Sequence, residues 1–437
     1  MSGRAFSSLT RGREAANHPG VKSAALALAL LALVAAGCGG QAHSAASPVE
    51  SRSCSDVVYA GDGEPDALVV SDLPRRGYGQ ATSALMTEAI KFVLQRRQYR
   101  AGDLRVGYQS CNDTVGDEPF DRGLCERNAK SYAAAEDVIG VIGPWNSGCA
   151  ALQIPLLSRK AVGPLAMISP ANTYTGLTQK VPGAPRPVYP DGSRNYVRVV
   201  PPDSQQGRAV AFLASRLGAK SVVSVTAPGD YGEGLTRPFI AAAQGLGLRA
   251  KDFEWGRHTS YVPLARQVST QEPQVVYLAG LPSLNGKRLL ADLRANLDAD
   301  VVFVGSDAWL TVAPADLGRP GDGLLIAFGG VPPEKLPPTG RSFLRAFGKP
   351  AFDLRQGYGA PEAAQATEVL LDAIGRSDGS RASVVDELFK TRVTDGILGS
   401  FTFDRNGDMD PAAVGLFRIR NGKVVVDRVL RVPAETG

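Results

Sequence analysis

The chain has 437 residues, 44% of them hydrophobic, and carries 48 Lys and Arg against 43 Asp and Glu, a formal net charge of +5. The length allows two or three domains with their own buried cores. Because the charge is small and not gathered into basic runs, the composition argues against a nucleic-acid-binding protein.

The N-terminus has the pattern of a secretory signal peptide over residues 1–37. Basic residues precede the apolar segment 24–36, which is too short to span a bilayer as a mature helix. The segment ends at Gly37-Cys38, which resembles a bacterial lipobox, so we expect Cys38 to carry lipid. An ordinary signal peptide cut near Ala36 is the alternative. Residues 38–55 are then a lipidated flexible tether, and the protein is expected to be extracytoplasmic and lipid-anchored to the cytoplasmic membrane.

Four cysteines follow Cys38, and an even number in an oxidising compartment is typical of disulfides. We expect Cys111 to pair with Cys125, because closing their polar loop of about 15 residues stabilises the fold by roughly 3 kcal/mol. Cys54 with Cys149 is the combination that then remains. The sequence predicts no metal site and no cofactor, since it has no C-x-x-C motif and only one histidine in the mature core.

After the tether, strand-like and helix-like patterns alternate as in a doubly wound α/β lobe. Short Val- and Ile-rich runs predict strands, and apolar stripes with helical spacing predict helices. The predicted strands are 67–71, 104–108, 138–142 and 165–168, and the predicted helices are 80–97 and 124–135. This alternation predicts a flavodoxin-like sheet.

A second α/β lobe follows a Pro- and Gly-rich stretch that fits neither periodicity. Its predicted strands are 197–200, 221–226, 275–279, 301–305 and 324–328, and its predicted helices are 204–217, 232–244 and 286–296. Three further helices are predicted at 341–347, 361–374 and 382–389, and three closing strands at 400–403, 414–420 and 423–430.

Polar residues follow two strands of the first lobe. Ser147 comes after strand 138–142 and Thr173 after strand 165–168. Ligands of parallel sheets bind just beyond the carboxyl ends of the strands, so both hydroxyls are candidates for ligand contact. Alternatively, these hydroxyls cap the helices that follow them.

Asp404, Asn406 and Asp408 have the spacing of the first three ligands of a calcium loop. Gly407, however, stands at the fourth position of that loop, whereas a calcium loop needs its glycine at the sixth. We therefore predict that Asn406-Gly407 forms a tight turn.

Several segments resemble, in the same order, the solute-binding proteins of branched-chain amino-acid ABC transporters, which are type I periplasmic binding proteins. These segments are GPWNSGCAALQIP, GPLAMISPANTYTGLT, YVRVVPPDSQQGRAVAFLA, DYGEGL, GSD and GILGSFTFDRNGDMDP. The resemblance implies two flavodoxin-like lobes joined by three hinge crossovers, with a ligand cleft between them. The implied crossovers lie near 195–199, 328–333 and 396–400. The implied lobes are 56–197 with 332–398, and 198–331 with 399–437.

The resemblance also implies roles for individual residues. Ser147, the backbone at Ala171 and the side chain of Thr173 would hold the α-carboxylate and amine of the ligand. Asp307 would pair with the α-ammonium of the ligand, unless it only caps a helix. Tyr231 would close over the ligand, although a packing role is its alternative.

Trp145 would line the side-chain pocket from the first lobe, or form a surface wall. No catalytic triad is indicated, so we expect no enzyme. The implied function is that of a solute-binding lipoprotein, which captures a small polar ligand, an amino acid or an amide-like molecule, by hinge closure and delivers it to an ABC permease. The alternative is a sensory lipoprotein of the same fold that reports ligand occupancy to a membrane receptor.

Overall fold

The computed structural model describes residues 45–431 apart from 78, 117, 119, 160–162, 182–187 and 349–358. The predicted signal peptide and Cys38 lie outside these described residues, and so do residues 39–44 of the predicted tether. Among the helices of the described part, none combines the length and the apolar composition needed to cross a membrane.

A six-stranded sheet forms the centre of the first lobe. Its elements in chain order are β1 (Ala67–Asp72), α1 (Gln80–Arg96), β2 (Arg100–Ala101), β3 (Leu104–Cys111), α2 (Arg122–Ala134), β4 (Val138–Ile142), α3 (Ser147–Leu157), β5 (Ala166–Ser169) and β6 (Tyr196–Arg198). The strand order is β2-β3-β1-β4-β5-β6, and only β2 runs antiparallel to its neighbour. The five parallel strands therefore have the flavodoxin-like order that the sequence predicts.

The second lobe repeats this arrangement. Its elements in chain order are α4 (Asp203–Arg216), β7 (Ser221–Thr226), α5 (Asp230–Gly245), β8 (Arg249–Glu254), α6 (Val262–Ser269), β9 (Val275–Ala279), α7 (Gly286–Asn296), β10 (Val302–Gly305), α8 (Pro314–Leu317) and β11 (Leu325–Phe328). The parallel strands have the order β8-β7-β9-β10-β11, again flavodoxin-like. In both lobes the central strands are buried along their length, because helices cover the sheet on both faces.

The chain then returns to the first lobe before it ends in the second. The remaining elements are α9 (Pro338–Phe347), α10 (Ala360–Arg376), α11 (Arg381–Phe389), β12 (Arg392–Gly396), β13 (Gly399–Phe403), β14 (Met409–Asp410), β15 (Ala413–Arg420) and β16 (Lys423–Arg431). Arg381 of α11 donates hydrogen bonds to the carbonyls of Val138 at 2.8 Å and Ala133 at 3.0 Å, which fixes this helix to the first lobe. Strands β15 and β16 extend the second sheet next to β11 in antiparallel pairing.

Two predicted strands lie in a different sheet from the one expected. The strand predicted at 197–200 for the second lobe is β6, which pairs with β5 in the first sheet. The strand predicted at 400–403 for the second lobe is β13, which forms a separate small sheet with β12 and β14. This small sheet joins the first lobe, where the N–H of Leu398 donates to Gln365 Oε1 of α10 at 3.1 Å. The third crossover therefore lies between β14 and β15 and not near 396–400.

Residues 45–58 pack on the first lobe instead of forming a free tether. Val49 is buried, and its N–H donates to Gln109 Oε1 at 2.7 Å. Bridges from Cys54 to Cys111 and from Val58 to Tyr108 place this segment antiparallel beside β3. The first lobe thus includes residues before 56, because residues as early as Ala46 have backbone partners in it.

The expected Cys111–Cys125 disulfide is wrong. The disulfides join Cys54 to Cys111 and Cys125 to Cys149. Cys54 faces Cys111 because residues 54–58 run beside β3, whereas Cys125 on α2 faces Cys149 on α3 because these two helices pack against each other. Closeness in the sequence was therefore a poor guide to closeness in the fold.

Three crossover segments connect the lobes, and a cavity of about 570 Å³ lies beside them. Residues from all three segments line it, among them Val200, Gly330 and Pro411. Ser147, Thr173 and the other candidate site residues are not part of its lining. This cavity therefore belongs to the hinge and not to the candidate site.

Candidate functional site

The loops after β4 and β5 lie next to each other, as the sequence predicts. Ser147 is the first residue of α3, but the cap of this helix is Asn146, whose side chain accepts a hydrogen bond from the N–H of Gly148 at 2.8 Å. Ser147 Oγ instead accepts from the N–H of Tyr174 at 3.3 Å. The hydroxyl of Ser147 thus joins the two loops and does not cap its own helix.

The loop after β5 is held in shape by the side chain of Ser169. Ser169 Oγ accepts hydrogen bonds from the N–H groups of Ala171 at 3.1 Å and Asn172 at 2.9 Å. Thr173 is 4% exposed, and its carbonyl accepts from the N–H of Asp203 in the second lobe at 2.6 Å. This loop therefore brings Ala171 and Thr173 to the boundary between the lobes.

A buried ion pair fixes the same loop to the turn between β13 and β14. Arg198 is fully buried, and its Nε lies 2.7 Å from Asp408 Oδ1. Its Nη1 donates to the carbonyls of Asn172 at 3.2 Å and Tyr174 at 2.8 Å, and its Nη2 donates to Thr178 Oγ1 at 2.6 Å. The guanidinium thus makes four hydrogen bonds with its five donors, all of them to the loop and to Asp408.

The turn that begins at Asp404 positions Asp408 for its ion pair with Arg198. The sequence predicts a tight turn here, at Asn406-Gly407. Asp404 Oδ1 accepts from the N–H groups of Asn406 at 2.8 Å and Asp408 at 2.9 Å, and Gly407 has φ +93°. A side chain at Gly407 would be strained at this φ, so the Asn-Gly pair suits the turn.

On the second lobe, Asp307 lies directly after β10 and begins a short 3-10 helix. Its Oδ1 accepts hydrogen bonds from the hydroxyl of Tyr231 and from Gln206 Nε2, the latter at 3.2 Å. Gln206 Oε1 in turn accepts from the N–H of Asp307 at 3.3 Å and from the hydroxyl of Tyr277 at 3.2 Å. Asp307 is the first residue of this helix, and Ser306 before it occupies the cap position.

The hydroxyl of Tyr231 stays protonated in this setting. Burial, and then the negative charges of Asp307 and Asp203, raise the pKa of Tyr231 well above its ordinary value. The phenol therefore donates to Asp307 at neutral pH, and Gln206 keeps the same carboxylate oriented.

Asp203 is a candidate that the sequence analysis missed. It is fully buried, and its Oδ1 and Oδ2 have no hydrogen-bond partner among the described residues. Burial, and next the charge of Asp307, raise the pKa of Asp203 to about 8. A Cβ built on Gly234 would lie 3.3 Å from Asp203 Oδ2 and 3.0 Å from Tyr174 Cδ2. The carboxylate of Asp203 thus faces the loop of the first lobe.

The sequence did contain a signal for Asp203. Like Ser147 and Thr173, it follows a strand of the first sheet within a few residues, because β6 ends at Arg198. An acid in the first turn of a helix is also common because it stabilises the helix. Its presence there therefore does not by itself indicate a ligand site. Gln206, one turn further along α4, is equally ordinary in the sequence.

Trp145 is the candidate whose contacts lie mainly in its own lobe. It is half-buried and packs against the hydrophobic core, and a Cβ built on Gly79 would lie 3.2 Å from its ring. Its carbonyl accepts from Asn172 Nδ2 at 2.9 Å, which ties it to the loop after β5. Lining of a ligand pocket by Trp145 stays a prediction.

The arrangement suits a small zwitterion. Two buried carboxylates on the second lobe, Asp203 and Asp307, offer negative charge to a cationic group. On the first lobe, the hydroxyls of Ser147 and Thr173 lie at the start of α3 and in the neighbouring loop, where N–H groups and the helix dipole favour an anion. A ligand with an ammonium and a carboxylate a few ångströms apart would satisfy both sides.

Comparison with known proteins identifies a family and a shared fold. A family model described as periplasmic binding protein matches residues 116–423. The leucine binding protein LivK from Thermotoga maritima has a TM-score of 0.68 to this chain at 24% identity, over 84% of this chain and 99% of that chain.

Two further solved structures share the architecture. An ABC transporter substrate-binding protein from Desulfitobacterium hafniense, in complex with Leu, has a TM-score of 0.67 at 19% identity, over 82% of this chain and 99% of that chain. A solute binding protein of an ABC transporter from R. palustris, in complex with benzoate, has a TM-score of 0.66 at 17% identity, over 84% of this chain and 98% of that chain. At these identities the likeness shows the fold.

Proposed function

Because this chain belongs to the periplasmic binding protein family, we propose that it is an extracytoplasmic solute-binding lipoprotein that captures an amino acid or a related small polar molecule and delivers it to an ABC permease. The observation that supports the proposal is the buried acid pair of Asp203 and Asp307, of which Asp203 lies against the Thr173 loop at the lobe boundary. The protein binds and releases its ligand without a chemical reaction.

Each side of the site holds one end of the ligand. Ser147, the N–H groups near Ala171 and the hydroxyl of Thr173 bind the carboxylate and orient the amine. Asp203 and Asp307 bind the ammonium, and Tyr231 covers it after donating its hydrogen bond to Asp307. A charge that loses its water in such a site needs an opposite charge in place, and the acid pair supplies it.

The acid pair also distinguishes between the ligand classes of the similar structures. Benzoate, which the R. palustris protein holds, has a carboxylate and no cation. Such a ligand would bring a second negative charge near Asp307 without any compensating positive charge, which is unfavourable. A ligand with an ammonium, such as the Leu held by the D. hafniense protein, suits this site better.

Binding closes the cleft because a ligand held by both lobes binds the closed form more tightly than the open form. The three crossovers limit the motion to a hinge. The closed form is then the shape that a permease recognises. Uptake of the identified ligand in cells that lack this protein tests delivery, and undiminished uptake would contradict it.

The lipid anchor is a part of the proposal that the sequence alone supports. Mass spectrometry of the membrane fraction should find lipid on Cys38, and Cys38→Ala should release the protein from the membrane. A Cys38→Ala protein that stays membrane-bound would contradict the anchor.

A thermal-shift screen over amino acids, amides and aromatic acids identifies the ligand, because a ligand at 100 times its Kd stabilises by about 2.7 kcal/mol. Calorimetry then compares Asp203→Asn and Asp307→Asn with the parent. Each should weaken binding by about 2–5 kcal/mol, since the ligand ammonium loses a buried partner. The matched control is Asp300→Asn, an exposed acid of the same lobe, which should leave the Kd unchanged.

Proton release gives a second readout for Asp203. Its raised pKa keeps this carboxyl largely protonated at pH 7, and an arriving ammonium displaces the proton. Calorimetry in buffers of different ionisation heat should therefore detect a proton released on binding, and Asp203→Asn should abolish it. If only ligands without a cation shift the melting temperature, the assignment to amino acids is wrong.

A further inference from the structure

A second pair of buried acids lies inside the first lobe, at the carboxyl ends of β1 and β3. Asp72 is the last residue of β1 and Asp113 follows β3 by two residues, and neither is exposed to solvent. Asp72 Oδ1 accepts a hydrogen bond from Asn128 Nδ2 of α2 at 2.9 Å, and its Oδ2 accepts from Gln153 Nε2 of α3. Asp72 is thus bonded by amides of two helices.

Asp113 has no such support. Both of its carboxylate oxygens are buried without a hydrogen-bond partner among the described residues, and so is Gln153 Oε1. Gln153 Oε1 belongs to the same amide that donates to Asp72, so this oxygen lies within the cluster. The charges of Asp72 and Asp113 both act on Tyr132, which places its hydroxyl near both acids. Three buried oxygen atoms, the two of Asp113 and Oε1 of Gln153, therefore lack partners in one small region.

Buried polar atoms of this kind are rarely left unsatisfied, and each costs about 1–3 kcal/mol when it is. No Lys, Arg or His of the described residues forms an ion pair with either carboxylate. The cluster lacks positive charge, and nothing in the described chain supplies it.

The donor atoms of the cluster are oxygens. The carboxylate of Asp113 also lies within 4.8 Å of the sulfur atoms of Cys125 and Cys149. These two sulfurs are bonded to each other in a disulfide and are therefore not thiolate ligands. Two carboxylates and an amide carbonyl form the ligand set that calcium prefers over zinc or copper.

We propose that Asp72, Asp113 and the carbonyl of Gln153 bind a calcium ion inside the first lobe. The two carboxylates balance the charge of the ion, and the carbonyl gains the partner that it lacks. Gln153 is on α3, the helix that carries Ser147 at its start. Bound calcium therefore ties α3 to the ends of β1 and β3 and keeps the candidate ligand site in register.

The test is made on the whole mature protein, purified without chelators. Elemental analysis should find about one calcium per chain. Thermal unfolding with EGTA and with added calcium should differ, by about 3 °C at 100 times the Kd for a chain of this size. Terbium added to the chelated protein should show luminescence sensitised by Tyr132.

Two variants locate the ion. Asp113→Asn should abolish the calcium-dependent shift, whereas the control Asp404→Asn should retain it, although Asp404 belongs to the turn with calcium-like spacing. Loss of the shift in Asp404→Asn alone would overturn the proposal, because the ion would then lie elsewhere. A parent protein without bound metal and without a shift in calcium would overturn it as well, and this measurement decides even if Asp113→Asn fails to fold.

Discussion

Arg198 shows how one buried side chain can serve several parts of the candidate site. It pairs with Asp408 and donates to two carbonyls of the loop that carries Thr173. Asp408 is 7% exposed in its side chain and also accepts from Thr178 and Gln179. The loop geometry therefore depends on a residue that contacts no ligand.

We predict that Arg198→Met destabilises the protein by about 3–5 kcal/mol, because it leaves Asp408 buried without its counter-charge. Urea unfolding at neutral pH measures the change. The control is Arg288→Met, since the pair of Arg288 with Asp292 is half exposed on its Arg side and such pairs contribute only about 0–1 kcal/mol. Equal urea midpoints for Arg198→Met and the parent would show that this ion pair does not hold the loop.

At the level of residues, sequence reasoning located the loops better than the side chains. Ser147 and Thr173 were predictable because hydroxyls beyond neighbouring parallel strands must meet at one edge of the sheet. The role of Asn146 as the actual cap was not, since either of two adjacent residues could cap. Asp203 was missed because its carboxylate owes its unusual state to burial by elements far along the chain.

At the level of elements, α10 begins with a buried acid. Glu362 is 3% exposed, and its Oε2 accepts from the N–H of Gly359 at 2.9 Å, which satisfies one free donor at the start of this helix. Burial raises the pKa of Glu362 to about 7. The helix is therefore capped by a group that titrates close to neutral pH.

The sign of the pH effect follows from this raised pKa. The folded state binds the proton more tightly than the unfolded state, whose Glu has a pKa of 4.5, so the stabilising contribution is present below that value and is lost as the pH rises through about 7. We predict that Glu362→Gln, which still accepts a hydrogen bond, equals the parent in stability near pH 4. At pH 8 the variant should be more stable by about 3 kcal/mol.

Urea unfolding of both proteins from pH 4 to pH 8 provides the comparison. The difference between their free energies of unfolding isolates Glu362 from all other titrating groups. A difference that stays constant over this range would mean that Glu362 has the same pKa in the folded and unfolded protein, which contradicts the prediction.

The order of the strands was predictable, whereas several of their partners were not. Buried central strands can be recognised in the sequence by their runs of apolar residues, as in β1 and β4. Strand β8, with the sequence RAKDFE, lies at the edge of the second sheet, where exposed residues interrupt the apolar pattern. The sequence predicts that β6 and β13 are strands. It does not predict which sheet each strand joins, because a short strand can pair in either sheet.

At the scale of the whole molecule, the lobes meet at a glycine. Gly234 of α5 lies against Tyr174 of the first lobe, and a Cβ there would come within 3.0 Å of the tyrosine ring. Contacts this tight force a neighbour to shift. The absence of a side chain at Gly234 therefore permits the close approach of the lobes.

We predict that Gly234→Ala weakens ligand binding by about 1–3 kcal/mol, or roughly 5- to 150-fold, because it opposes this approach. Calorimetry measures the Kd, and small-angle scattering measures the compaction on binding. Gly245→Ala, in the same helix but with nothing within 4 Å of the added Cβ, should bind as the parent does. Parent-like binding by Gly234→Ala would show that the bound form does not bring these residues together.

The pairing of Arg198 with Asp408 also affects the order in which the two lobes can fold as the chain emerges. Asp408 lies 210 residues after Arg198, and α9, α10 and α11 of the first lobe come after the whole of the second sheet except its last two strands. A chain that emerges from its N-terminus can complete β7 to β11 while the older lobe still lacks three helices and the counter-charge of Arg198. The lobe that is made first is thus finished late, and until then its apolar sheet faces are open to aggregation or to a chaperone.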